Sequence, residues 1–278
     1  MRVFENVSKL RKPSLLFKEI WADLRQTLSL AKVLAVREIK AKYRQTVFGL
    51  AWAFLPPAAT TLAFVILQKQ NVITSGVDGV PYPVFVMVGV VFWQLFAESV
   101  IAPLQVVQSS KSLLSKILFP REALLLAAIY QVVFNFSIKL VLLFVVMSCF
   151  GVTPKYTVFF VPIASIGLIM LGMCIGMILV PIGLLYQDVV FSLGTVLMLV
   201  MFITPIGFVQ PDTGLLSTIC EWNPVIPLLN CARDWTLGDQ PESVLGLVYV
   251  MIGIGLLNFF GIVLYRLSLP FAVERLGS

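Results

Sequence analysis

An all-α protein that crosses a membrane several times is the fold class this chain predicts, on three observations. Of its 278 residues, 59% are hydrophobic and 12% charged, with a mean hydropathy of +0.97, far from the balance of a soluble domain. The apolar residues gather into six runs, each near the roughly 20 residues a helix needs to cross a bilayer. Lys and Arg sit beside those runs, eleven of the twenty before Phe48, so the net charge of +6 does not mark a nucleic-acid partner.

Composition also removes whole classes of chemistry. There is no histidine, which excludes Ser-His-Asp and Cys-His triads and His-ligated zinc. The four cysteines, Cys149, Cys174, Cys220 and Cys231, show no C-x-x-C spacing. Cys220 and Cys231 fall in one connecting segment, where a disulfide is conceivable in an oxidising compartment; buried free thiols are the plainer expectation. Residues 1–28 carry Arg2, Lys9, Arg11, Lys12, Lys18 and Arg25 but no apolar core long enough for a secretory signal. They read as a retained cytoplasmic arm.

From Ser29 to Leu55 a basic, helix-like segment passes without a break into the first apolar run. Lys32, Arg37, Lys40, Lys42 and Arg44 supply cations, while Val36, Ile39, Tyr43 and Val47 recur at three-to-four residue spacing. One side can therefore lie on lipid while Arg37, Lys40, Lys42 and Arg44 meet phosphates or a partner subunit. The same cations also serve as a plain positive-inside anchor. Glu38 and Lys42, four apart, are placed to pair.

The spans are expected at 48–67, 84–107, 123–149, 157–179, 189–209 and 244–264, preceded by the arm 1–47, with short connections that leave no room for a soluble domain. With both ends inside, sixteen Lys and Arg fall on the cytoplasmic side and three, Lys69, Lys155 and Arg233, outside. Pro56 and Pro57 lie near the middle of the first run and predict a kink there. Gly172 and Gly176 have the small-xxx-small spacing of close helix packing. Two charges lie within spans: Glu98, about 13 Å from the inner end, and Lys139, about 24 Å from it at 1.5 Å per residue. Those depths argue against a direct pair; Lys139 is expected to snorkel outward and Glu98 to face a polar cavity.

Between the second and third spans, Leu113, Leu114, Ile117 and Leu118 make a one-faced apolar cluster closed by Pro120. That pattern predicts a short amphipathic helix, docking on a cytoplasmic partner or resting on headgroups. Residues 210–243 hold an apolar piece too short to span, beginning after Asn223-Pro224 and running up to Arg233. Re-entrant or interfacial helices on the outer side are expected there.

Several of these stretches together resemble one family. R-E-I-K-A-K-Y-R-Q-T-V-F-G-L-A-W-A-F-L-P-P from Arg37, L-F-P-R-E from Leu118, Y-Q-D from Tyr186, T-P-I-G-F from Thr204 and N-P-V-I-P-L-L-N-C-A-R-D-W from Asn223 are similar to the membrane subunits of ABC-2-type exporters. The likeness is strongest to those for lipid-linked polysaccharides such as O-antigen, capsule and teichoic acid. One departure is visible, Gln187 before Asp188 where the family often has Arg. The resemblance implies a multi-pass protein of the bacterial inner membrane with both termini cytoplasmic, paired with a second copy of itself. It further implies two cytoplasmic ATP-binding subunits as partners, which hold the ATP and Mg, with no cofactor on this chain. The sequence has no G-x-x-x-x-G-K-[ST] loop of its own. By similarity, Lys111, Leu114, Lys116, Ile117, Pro120, Arg121 and Asp188 would couple to the ATPase, and Asn223, Pro224 and Arg233 would belong to an outer gate.

A sugar polymer slides on aromatic faces and water-exchanging hydroxyl contacts. Trp52, Phe92, Trp93, Phe96 and Glu98 on the first two spans are the candidates for such a path, and Arg37, Lys40, Lys42 and Arg44 for a carrier lipid's diphosphate. Two other readings compete. One is a permease of the same architecture for a drug or lipid; the other is an intramembrane transferase, which would need acid and base groups clustered at one depth.

Overall fold

The computed structural model describes residues 13–44, 46, 48–70, 79–114, 120–208, 210, 213–239, 241 and 244–277. Among them it is built of helices alone, as expected for a polytopic membrane protein. Helix α1 (Pro13–Arg44) carries Lys42 and Arg44 in its last turn, where cations suit the negative end of the helix dipole. Its buried residues Thr27, Ala31, Leu34 and Ala35 recur every three to four positions and face α5 (Glu122–Cys149). The inward stripe is therefore not the one starting at Val36, which is exposed; Val47 lies outside the described residues. Glu38 pairs with its neighbour Arg37 at 2.7 Å and not with Lys42.

The basic segment does not run unbroken into the first span. Gly49 has a φ of +51°, a left-handed value that suits glycine. A 3₁₀ turn (Gly49–Ala53) then leads into α2 (Leu55–Lys69). Pro56 and Pro57 fall in the first turn of α2, where a missing N–H costs no helical bond. They start a helix and do not kink its middle.

The centre of the fold is α3 (Tyr82–Ser109), which packs on α2, α5, α6 (Val161–Leu185), α7 (Gln187–Ile203) and α9 (Val225–Leu237). The expected glycine pair explains how α6 gets so close. A Cβ added at Gly172 would lie 2.5 Å from the Ser99 Cβ, and one at Gly176 2.6 Å from the Val100 carbonyl. In lipid, where no hydrophobic drive separates helix from tail, such close packing holds helices together.

Among the described residues, five helical stretches are long and apolar enough to cross a membrane: Gly49–Lys69, Tyr82–Ser109, Glu122–Cys149, Tyr156–Leu185 and Leu245–Leu269, the last within α10 (Val244–Gly277). The remaining apolar run, the fifth in chain order, forms only the 17 residues of α7, about 26 Å at 1.5 Å per residue against a hydrocarbon core of about 30 Å. Pro205 ends it by driving Thr204 out of the helical region, to a ψ of 136°. After the bend come α8 (Leu215–Trp222) and α9, too short to cross. They are the paired short helices expected before the last span. Lys111–Leu114 forms a single turn, α4.

Candidate functional site

At the junction of α1, the 3₁₀ turn, α2, α3 and α5 lies a recess of about 330 Å³. Lys42 and Tyr43 close it from α1, Trp52 and Pro56 from the start of the first span, Gln94 and Glu98 from α3, Asn135 and Lys139 from α5. Polar residues reach it because each helix repeats them one turn apart: Gln94 and Glu98 on α3, Asn135 and Lys139 on α5, the last two continuing a repeat that starts at Gln131 outside the recess. Lys139 donates to Glu98 Oε1 at 2.5 Å, and Tyr43 donates its hydroxyl to Asn135 Oδ1 at 3.1 Å. The Lys42 ammonium stands 5.7 Å from the Tyr43 ring centre. Burial, and then the Glu98 carboxylate, push the Tyr43 phenol above its ordinary pKa, which keeps it a donor.

The Lys139–Glu98 pair corrects the expectation from depth. Side chains on a helix lean toward its N-terminus. On α3 that direction runs away from Ser109, and on α5 it runs toward Glu122. Consecutive spans packed across a short link are antiparallel, so the two side chains lean toward each other and close a gap that a count along the axis leaves open. Lys139 is 4% exposed and Glu98 31%. The lysine does not snorkel outward, whereas Glu98 does face a polar recess, as expected.

A second cluster ties helix ends together. Lys111 Nζ donates to the Leu184 carbonyl at 3.2 Å and Gln108 to that of Gly183 at 3.0 Å, joining the end of α3 to the end of α6. Across the link, Tyr265 donates to the Arg121 carbonyl at 3.1 Å and Arg266 pairs with Glu122 at 2.6 Å, joining α10 to α5. Arg37 reaches Ser110 at 3.3 Å. Pro120 and Arg121 are half-buried beside these contacts and Leu114 is half-buried in the turn, while Asp188 is exposed in the first turn of α7. Lys116 and Ile117 lie outside the described residues.

The third element is a buried clasp. Arg233 Nη2 donates to the carbonyls of Pro205 at 3.0 Å and Ile206 at 2.9 Å, with its guanidinium 4.2 Å from the Phe85 ring centre. Tyr82 donates to the next carbonyl, Gly207, at 2.8 Å. The non-helical bend after α7 thus has its backbone satisfied by side chains. Asn223 Oδ1 accepts from the Val225 N–H at 3.0 Å, an Asx turn that opens α9 behind Pro224.

Of the expected sugar-path residues, the structure brings only Trp52 and Glu98 to the recess. Phe92, Trp93 and Phe96 are buried in the subunit's core, Phe92 against Phe136 and Trp93 against Phe96, and present no ring to a path. Lys42 borders the recess, while Arg37, Lys40 and Arg44 are exposed on α1. Sequence reading set Tyr43 on a lipid-facing stripe and missed Gln94 and Asn135, for which the four-residue repeat of polar side chains within two apolar spans was the signal. All four cysteines are free, with Cys220 and Cys231 both buried. Among the described residues no group of three or more Cys, Asp or Glu gathers as metal ligands would.

These features define a polytopic, all-helical membrane protein with a polar recess where its first span begins. Its relatives are named for transport. The chain is similar to the O-antigen export system permease protein RfbA of Myxococcus xanthus, 27% identical over 214 residues, covering 74% of this chain and 80% of the relative. It is also similar to two O-antigen export system permease proteins RfbA of Klebsiella pneumoniae, 23% and 22% identical over 247 residues, covering 85% of this chain and 93% of each relative. No protein-family model matches it. The resemblance to ABC-2-type exporter permeases is borne out by these relatives.

Proposed function

We propose that this chain is the membrane-spanning subunit of an ABC exporter that carries a lipid-linked polysaccharide of the O-antigen type across the bacterial inner membrane. The observation that carries this reading is the likeness to O-antigen export permeases over 93% of the length of two of them. A second copy completes the conduit, both termini are cytoplasmic, and two copies of a separate subunit bind and hydrolyse ATP. The contacts of Lys111 with Leu184 and of Arg266 with Glu122 support a coupling role for the link between them. A push on that link moves the ends of α6 and α10 together. Exposed Lys40 and Arg44 on α1 suit a carrier's diphosphate, and the Asn223-Pro224 turn and α9 suit an exit gate.

A strain deleted for its own copy of the gene tests the reading. The chain supplied with its ATPase restores polymer at the cell surface, and the same ATPase with its P-loop lysine changed to alanine does not. Surface polymer without any active ATPase, or none with both wild-type subunits, overturns it.

A further inference from the structure

We propose that the recess between α1, α2, α3 and α5 binds an uncharged sugar ring, an inference that rests on reading the chain as a polysaccharide permease. The hydrogen-bonding groups left free decide the ligand. Lys139 is engaged by Glu98 at 2.5 Å, Asn135 Oδ1 already accepts from Tyr43 at 3.1 Å, and Lys42 sits at the rim over the Tyr43 ring. What remains is mixed: the amide N–H groups of Gln94 and Asn135 and the Lys42 ammonium as donors, and two acceptors. Gln94 Oε1 is buried without a partner, and Glu98 offers the oxygen that Lys139 does not hold.

A site offering both calls for groups that donate and accept at once, as a sugar hydroxyl does. An ionised phosphate brings only acceptors, and its charge would meet the Glu98 carboxylate across a poorly screened space. A hydroxyl donated to Gln94 would also relieve a buried carbonyl that is costly to leave unmet. The ring contact is supplied by Trp52, which is 48% exposed and lines the same recess, an aromatic surface of the kind on which the C–H side of a pyranose stacks. At about 330 Å³ the space lies at the low end for small-molecule sites. It suits the first one or two sugars of a chain and not a length of polymer. The carrier's diphosphate then stays outside, on the exposed cations Lys40 and Arg44.

The test uses the permease with its ATPase in nanodiscs. One probe is the delipidated oligosaccharide freed by mild acid from the host strain's own surface polymer; the other is inorganic pyrophosphate. Saturable oligosaccharide binding is expected, about ten-fold weaker in Trp52→Ala and in Gln94→Leu, largely kept in Trp52→Phe, and not displaced by pyrophosphate. Each variant is first checked for wild-type unfolding in detergent; if Gln94→Leu fails that check, Trp52→Ala decides alone. Competition by pyrophosphate, binding unchanged in the variants, or no saturable binding by the folded wild-type complex overturns the sugar site. The same complex is assayed for export in cells. Export without oligosaccharide binding sinks the sugar site alone, while absence of export sinks the permease reading.

Discussion

Two cations are buried among the described residues, and they are compensated in opposite ways. Lys139 meets a carboxylate at 2.5 Å, and that carboxylate is 31% exposed to a recess. Arg233 is 6% exposed and rests on two backbone carbonyls and the Phe85 ring. The lysine pair sits where four helices and the 3₁₀ turn leave a space, whereas the arginine fills its site. An intramembrane charge is costly, and a system keeps it either to hold irregular backbone or to keep a polar surface available. Arg233 does the first and Glu98 the second.

The largest effect separating the two comes from Arg233→Ala. Two buried carbonyls lose their donor and Phe85 loses its cation, so we expect a destabilisation of about 4 kcal/mol, read by SDS titration of the purified protein. Arg233→Lys recovers only part of this, because one ammonium cannot lie flat on a ring while serving two carbonyls. A loss below about 1 kcal/mol would mean that water reaches the bend.

Glu98→Ala should cost less, about 2 kcal/mol, because Lys139 left alone can draw water from the recess; a sealed pair would cost about 3–5 kcal/mol. The double variant Glu98→Ala, Lys139→Met should return most of the loss, since an apolar pair replaces an ion pair at little cost. If the double variant is as unstable as the single, the two residues are not coupled and the contrast with Arg233 fails.

How far the sequence reveals this contrast depends on the kind of pattern involved. Spans declare themselves by length and apolarity, and the glycine pair of α6 by its spacing. Burial within a span does not. In an interior surrounded by lipid, α3 is apolar on nearly every side, so no periodicity distinguishes its core-facing Phe92, Trp93 and Phe96 from lipid-facing rings. The ion pair was hidden for another reason: distance along an axis omits the lean of Cβ toward the N-terminus, which acts in opposite senses on antiparallel helices. The polar repeats Gln94/Glu98 and Gln131/Asn135/Lys139 were legible, since four-residue spacing places them on one face.

A smaller effect concerns how α1 is held to the recess. Tyr43→Phe removes the hydrogen bond to Asn135 and should cost about 1 kcal/mol, seen as faster amide exchange at the end of α1. The pH dependence has a definite sign. Burial raises the folded-state pKa of Tyr43 above its unfolded value, so the unfolded chain releases this proton first as pH climbs past about 10. The stabilisation is complete below that pH and declines above it. Tyr43→Phe should remove that part of the alkaline decline, and an unchanged alkaline profile would place the phenol outside the contact.

The smallest expected effect is the most discriminating. Trp52 is 48% exposed, and its one ring contact among the described residues, with Phe48 at 5.9 Å, joins two exposed side chains. Trp52→Ala should change stability by no more than about 0.5 kcal/mol in the same SDS titration. That outcome would leave a large aromatic ring at a polar recess with its use outside folding. If Trp52→Ala instead unfolds the protein as readily as Arg233→Ala, the ring belongs to the architecture, and the recess loses the only face on which a sugar is proposed to stack.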